Sequence, residues 1–203
     1  MNYLEFLVNE IHTVIAATVD SNGFPVTCAI DIMDYDENGV YFLTAKGKGF
    51  YQRLKSNGYI AFTGIRGSNT MSSVAISVRG KVREIGRERL SDLFRKNPYM
   101  TEIYPTEESR KALTVFCVYE SEGEWFDLSK KPIERSSFAL GANNATEKGY
   151  FINDKCTGCE KCIAVCPQNC ISVGLPFEIR QENCLHCGNC LSVCPVNAVE
   201  MRL

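Results

Sequence analysis

The sequence has few histidines, a nearly balanced charge and no long apolar run. Each of these absences excludes a class of function. Its 203 residues include 22 Lys and Arg against 24 Asp and Glu, a formal net charge of −2. Without a basic surplus, the chain is not expected to bind nucleic acid. No apolar stretch is long enough to span a membrane. Glu5 and Glu10 near the start are unlike a secretory signal, so we expect a cytoplasmic protein.

Side-chain catalytic arrangements are also missing from the sequence. It contains two histidines, His12 and His186, and one tryptophan, Trp125. No Ser-His-Asp set and no paired-carboxylate signature can be recognised around them. If the chain is an enzyme, bound cofactors must therefore carry the chemistry while the protein positions them.

Cysteine, by contrast, is abundant, with eleven copies in the chain. Eight of them form two copies of the pattern C-x2-C-x2-C-x3-C followed by proline: Cys156, Cys159, Cys162 and Cys166, then Cys184, Cys187, Cys190 and Cys194. Cys170 follows the first copy at the place that Ala198 takes in the second. We expect Cys170 to lie near the site that its neighbours form without being a ligand.

This spacing is typical of bacterial ferredoxins, in which three cysteines of one copy and the fourth of the other bind each [4Fe–4S] cluster. The first cluster is expected on Cys156, Cys159, Cys162 and Cys194, and the second on Cys184, Cys187, Cys190 and Cys166. Structural zinc sites and disulfides are the alternatives. A third cysteine at the same short spacing is hard to explain with zinc, and no feature indicates the oxidising compartment that disulfides need.

The chain divides at a small, polar stretch from Gly141 to Gly149, which is typical of a linker. Residues 141–203 are expected to form a small α+β ferredoxin-like domain with the clusters as its core. Residues 1–140 show short strands joined by turns, which predicts a mainly β barrel with short helices. Its last two strands are expected at Leu113–Glu120 and Glu124–Leu128.

The order of elements resembles the pyridoxamine 5′-phosphate oxidase-like split-barrel family. The resemblance is carried by N-G-F-P-V-T-C-A-I-D-I-M-D-Y-D-E-N-G-V-Y-F-L-T (22–44), by R-L-K-S-N (53–57) and by S-V-R-G-K-V-R-E (77–84), and it covers about residues 5–130. It implies one FMN per subunit at the interface of a homodimer. The implied FMN-binding residues are Thr27, Cys28, Ala29, Ile30, Leu43 and Thr44, with Lys46 and Lys48 for the phosphate.

The sequence also departs from the oxidase. Cys28 stands where the oxidase has an arginine, and Gly49-Phe50 replaces an Arg-Lys pair, so pyridoxine chemistry is not expected. A variant of the fold with a T-x-x-G-K loop, found in nitroimidazole-reductase-like proteins, fits better. Two lysines and unhindered glycine N–H groups ahead of a helix suit a phosphate on chemical grounds. A solvated loop without a ligand is the alternative.

Together these features predict a flavin and iron–sulfur oxidoreductase. Two [4Fe–4S] clusters would exchange electrons with FMN, which would reduce an unidentified small-molecule acceptor, and a redox partner protein would supply the electrons. Two alternatives remain open at this point. The chain could be a non-enzymatic electron-transfer protein or redox sensor, and the barrel could hold haem or a deazaflavin instead of FMN.

Overall fold

The N-terminal part of the chain is an antiparallel sheet that curls into a barrel. The structure, a computed structural model, describes residues 2–141 and 148–202. The strands of the barrel are β1 Thr13–Val19, β2 Pro25–Asp31, β3 Asp34–Asp36, β4 Gly39–Ala45, β5 Tyr59–Arg66, β6 Val74–Gly86, β7 Leu113–Asp127 and β8 Glu134–Leu140. Their order is β2-β1-β5-β6-β7-β4-β3, with β8 on β7. Since β2 also lies against β4, the sheet closes on itself.

Short helices connect the strands. They are α1 Tyr3–Phe6, a π-helix Leu7–Ile11, α2 Gly49–Asn57, a 3-10 turn Thr70–Ser72, α3 Leu90–Lys96 and α4 Met100–Ile103. Helix α2 ends at Gly58, whose φ of 61° is the left-handed conformation that commonly terminates helices. No helix within residues 2–141 and 148–202 is both long and apolar enough to cross a bilayer.

Two turns set the register of the early strands. The carboxylate of Asp20 accepts hydrogen bonds from the N–H groups of Asn22 and Phe24, at 2.8 and 3.0 Å, and so fixes the β1–β2 turn. Gly39 begins β4 with φ of 150°, and a Cβ there would collide with the carbonyl oxygen of Val118. Glycine at this position therefore lets β4 pair closely with β7.

The barrel has apolar cores on both faces of β7. Phe116 and Val118 belong to the core inside the barrel, together with Phe42. Leu113 and Val115 belong to a second core that α3 covers. Alternate side chains of one strand point to opposite faces, and burial on both faces explains the almost continuous apolar sequence of this segment.

Two details of the barrel differ from expectation. The strands predicted at Leu113–Glu120 and Glu124–Leu128 are a single strand, β7, in which Glu120 adopts φ of 42° and the register with β6 shifts by one residue. This bulge lets the strand continue through the polar stretch around Ser121. Strand β8 is not apparent in the sequence, because a contact with a distant residue positions it. The ring of Phe138 packs over Gly123, in the space that a Cβ on Gly123 would occupy.

The C-terminal part is small and has two similar halves. Its elements are β9 Gly149–Ile152, α5 Lys161–Ala164, β10 Ile171–Ser172, β11 Glu178–Ile179, a 3-10 turn Gln181–Asn183, α6 Asn189–Val193 and β12 Val199–Arg202. Strand β9 pairs with β12, and β10 pairs with β11, both antiparallel. Most of the predicted linker lies outside the described residues. The predicted fold class, a β barrel with short helices and a small α+β domain, is confirmed.

Candidate functional site

Two cavities of the C-terminal part are each lined by four of the eight patterned cysteines. The first is lined by Cys156, Cys159, Cys162 and Cys194, and the second by Cys166, Cys184, Cys187 and Cys190. Each set thus combines three cysteines of one sequence copy with the last of the other. All eleven cysteines of the chain are free thiols.

The loops that carry the thiols need left-handed backbone at matching positions. Gly158 and Glu160 in the first loop have φ of 69° and 61°, and His186 and Gly188 in the second have 54° and 78°. Non-glycine residues pay roughly 1–2 kcal/mol for this conformation. Each loop carries one such residue, so contacts elsewhere in the domain have to offset that cost.

Backbone N–H groups point at one sulfur of each cavity. The Cys170 N–H donates to Cys166 Sγ at 3.4 Å, and the equivalent Ala198 N–H donates to Cys194 Sγ at 3.2 Å. Such bonds stabilise a thiolate, which is the form that binds metal. Among the described residues, no group of His, Cys, Asp or Glu side chains is arranged to hold a single metal ion. Each thiol set supplies four soft sulfur ligands, one for each iron of a [4Fe–4S] cluster, so the donor chemistry fits clusters.

The second cavity contains a fifth thiol. Cys170 is 2% exposed, lines this cavity and has its Sγ 3.4 Å from Cys166 Sγ. A hydrogen bond from Cys170, more than any other contact, lowers the pKa of Cys184. Burial raises the pKa of Cys190 to about 11, so that thiol must lose a proton when a metal binds it.

The FMN-binding residues predicted on β2 and β4 point in different directions. Thr27 and Ala29 are exposed on the outer face of β2, whereas Cys28 and Ile30 pack against the inner core. On β4, Thr44 is buried in the barrel and Leu43 packs against the second core. Of these six residues, only Thr27 and Ala29 can therefore present their side chains to a ligand outside the barrel. Cys28, Ile30, Leu43 and Thr44 could contribute backbone groups.

The two predicted lysines have unequal surroundings. Lys46 Nζ lies 4.0 Å from a carboxylate oxygen of Glu84, which also pairs with Lys55 at 3.1 Å. Burial tends to raise the pKa of Glu84, but hydrogen bonds from Thr114, Lys55 and Tyr51 outweigh it and the net pKa is lowered. The carboxylate is thus ionised and offsets the charge of Lys46. Lys48 forms no ion pair within the described part of the chain.

Arg53, one turn into α2, lies near Lys48, and the sequence pattern does not single it out as a site residue. Its Nη1 lies 3.3 Å from where a Cβ on Gly49 would be, and its Nε donates to Thr18 Oγ1 at 2.8 Å. Burial raises the pKa of Cys28, and the charges of Arg53 and Lys48 partly counter this, so both cations lie near that thiol. A signal existed, because residues four apart on a helix share a face.

Lys48, the N–H end of α2 at Gly49, and Arg53 therefore form a cationic group, which we call the cradle. Helix N-termini and fixed cations are the features that bind phosphate. The cradle fits the phosphate of a nucleotide cofactor. Because Glu84 offsets the charge of Lys46, Arg53 supplies the second positive charge in its place.

A cavity of about 210 Å³ lies on the outer face of the sheet. It is lined by side chains of β5 to β8, including Thr63, Ser77, Glu124 and Ser137, which are paired across the four strands. Lys148, just before β9, lines it as well. Thr27 and Ala29 are on the same outer face, two strands from β5.

Comparisons with known proteins agree with this arrangement. The model of the family described as pyridoxamine 5′-phosphate oxidase matches residues 2–124, and that described as 4Fe-4S dicluster domain matches residues 155–198. No curated protein matches the chain. The first match covers more than half of the chain, and the second includes all eight patterned cysteines.

Several solved structures share the barrel. A NimC/NimA family protein from Clostridium acetobutylicum is 18% identical with a TM-score of 0.55, covering 68% of this chain and 89% of that one. A protein from the same organism, related to general stress protein 26 of B. subtilis (pyridoxinephosphate oxidase family), is 19% identical with a TM-score of 0.51, covering 67% and 91%. A heme binding protein from Mycobacterium smegmatis is 9% identical with a TM-score of 0.52, covering 66% and 55%.

At these identities the structural neighbours show the fold alone. The two family matches go further, because a barrel of this kind followed by a 4Fe-4S dicluster domain indicates a function in redox chemistry or electron transfer. The chain belongs to the pyridoxamine 5′-phosphate oxidase family and carries a 4Fe-4S dicluster domain behind the barrel.

Proposed function

We propose that the protein is an oxidoreductase that holds FMN on the barrel and two [4Fe–4S] clusters in the C-terminal part. Clusters exchange single electrons and flavin exchanges one or two, so the pair converts one-electron input into two-electron reduction of an acceptor. The observation that carries the proposal is the presence, in one chain, of the cradle and of two cavities with four thiols each.

The residues of the barrel favour FMN over haem. A haem commonly needs an axial side chain such as histidine, and the sequence has two. His12 has both ring nitrogens in use, with Nε2 2.9 Å from Tyr99 Oη and Nδ1 3.3 Å from the Val8 carbonyl oxygen. His186 lies between two thiols of the second cavity. The cradle, by contrast, supplies what a flavin phosphate needs.

We assign the electron acceptor to small molecules and the donor to a redox protein. The cavity of about 210 Å³ on the outer face has room for a small acceptor beside a flavin. Iron–sulfur clusters together with three further cysteines, Cys28, Cys117 and Cys170, suit a reducing compartment, which supports a cytoplasmic location.

A second copy of the chain is the proposed partner of the outer face of β1 and β5, next to the cavity. Ile15 on β1 and Tyr59 and Ile65 on β5 point outward and are 55%, 47% and 65% exposed. With Ala17 and Ala61 between them, they form an apolar face on adjacent strands. Neighbouring exposed apolar side chains of this kind are typical of a protein interface, and a homodimer would cover them on both copies.

Cofactor content tests the function directly. Protein purified without oxygen is expected to contain about eight iron atoms, about eight sulfides and about one FMN per chain. After reduction by a ferredoxin-type donor, it should reduce members of a panel of quinone and nitroaromatic acceptors. Iron without flavin, even after FMN is added, would refute the proposal. Full cofactor content with turnover of protein acceptors only would identify an electron-transfer protein instead.

The ligand assignment is tested by two serine variants. Cys156→Ser is expected to lower iron from about eight to about four atoms per chain and to destabilise the C-terminal part. Cys170→Ser should keep all the iron, because Cys170 is an additional thiol of its cavity. Iron and sulfide analysis with absorption spectra reports the result. Equal losses in the two variants would contradict the assignment.

The cradle is tested on its two cations. Lys48→Ala and Arg53→Ala are each expected to weaken FMN binding about tenfold or more, since a charged hydrogen bond contributes about 1.5–3 kcal/mol. Lys55→Ala is the matched control, because Lys55 is on the same helix but pairs with Glu84. Fluorescence titration with FMN measures the affinities. If Lys55→Ala weakened binding as much as the other two, the phosphate would have to lie elsewhere.

The dimer is tested by placing a charge on its face. Ile65→Asp should shift the protein to monomer in sedimentation velocity, because a buried unpaired carboxylate is costly. Ile103→Asp is the control, since Ile103 is 60% exposed on α4, away from this face. The proposed interface would be contradicted if the wild-type chain sedimented as a monomer, or if the two variants behaved alike.

A further inference from the structure

Two hydrogen bonds join the barrel to the loops of the second cavity, and an ion pair joins Lys148, just before β9, to Glu122 on β7. The N–H of Ile133, just before β8, donates to Gln168 Oε1 at 3.1 Å. The carbonyl of Ile133 accepts from Asn183 Nδ2, also at 3.1 Å. Gln168 is two residues after Cys166, and Asn183, only 8% exposed, directly precedes Cys184. Both partners thus adjoin thiols of the second cavity.

A charged pair extends this junction toward the outer cavity of the barrel. Arg135 on β8 donates to Glu124 Oε1 at 2.7 Å, and its side chain is 17% exposed. Arg135 lies close enough for its charge to act on Cys184 and His186. Glu124 lines the outer cavity. A short series of side chains therefore separates the second thiol set from the outer cavity of the barrel.

The first thiol set has no such junction. Across the two described ranges, no hydrogen bond or ion pair joins the barrel to residues 153–162, which carry three of the four thiols of the first set. Because electron transfer slows steeply with distance, we expect a cofactor on the barrel to exchange electrons faster with the second thiol set than with the first.

The two cavities also differ chemically at one position. Cys170 places a thiol 3.4 Å from Cys166 Sγ in the second cavity, and Ala198 takes the equivalent place beside Cys194 in the first. The backbone N–H bond to sulfur exists in both halves. Hydrogen bonds to the sulfurs stabilise the more negative, reduced cluster and raise its potential. The extra S–H donor therefore makes the second cluster the easier one to reduce.

We propose that electrons enter at the first cluster and leave for the flavin from the second, and that Cys170 favours this direction by raising the potential of the second cluster. This inference rests on the proposed function. The donor is a one-electron reductant, such as a reduced iron–sulfur protein. With both cofactors bound, two single electrons passed through the second cluster and two protons from water would reduce oxidised FMN to its dihydro form, and each transfer would return the cluster to its oxidised state.

The potentials can be measured in the full chain without any flavin. In a redox titration followed by electron paramagnetic resonance, the wild type should show two cluster signals at different potentials. Cys187→Ser should remove the higher-potential signal, and Cys159→Ser, at the equivalent position, the lower one. The reverse assignment would overturn the inference.

The role of Cys170 has a matched pair of variants. Cys170→Ala should lower the potential of the second cluster alone, and Cys170→Ser, which retains a donor, should restore it. Ala198→Cys should raise the potential of the first cluster. A Cys170→Ala variant with unchanged potentials and full iron content would show that this thiol does not act on the cluster.

Stopped-flow reduction by a reduced bacterial-type ferredoxin tests the order. Loss of the second cluster should abolish flavin reduction while the first cluster is still reduced. Loss of the first cluster should slow reduction of both the second cluster and the flavin. Flavin reduction that survives in Cys187→Ser would overturn the order. Absence of flavin from the wild type would instead refute the proposed function, which keeps the two failures distinguishable.

Discussion

The backbone hydrogen bonds of β7 are the constraint on which the rest of the molecule depends. This strand pairs with β6 over most of its length, with β4 along its first half and with β8 along its second. Its first half positions the end of β4, since the N–H of Lys46 donates to the carbonyl of Ala112 just before β7. Its second half carries β8, from which the C-terminal part is held. One strand therefore sets the position of the cradle and of the junction.

The bulge at Glu120 makes this double role possible. A positive φ there shifts the register with β6, so the strand changes direction without breaking the ladder. Gly80 opposite leaves room for Ser121, because a Cβ on it would collide with that side chain. The barrel can thus close around Phe116, while the second half of β7 continues with β8 towards the C-terminal part.

How much the sequence could predict follows from how local each feature is. The cysteine pattern is local: the spacing alone anticipates which thiols share a cavity, even across the two copies. Arg53 and Glu84 are different, because their roles come from partners brought near by folding, Thr18 for one and Lys46 for the other. β8 likewise depends on a ring filling the space above Gly123. Such distant contacts leave no periodic signal in a single sequence.

The make-up of the third core has a practical consequence. Four of its nine buried residues are cysteines, Cys162, Cys170, Cys184 and Cys190, whereas the two barrel cores contain no residue of the C-terminal part. Three of those four line the cavities as members of the thiol sets, so metal and fold are coupled there and not in the barrel. In a sample exposed to air, the C-terminal part can therefore unfold while the sheet of the barrel stays folded. Sheet content or solubility is then no guide to intact material, and iron has to be counted in every preparation.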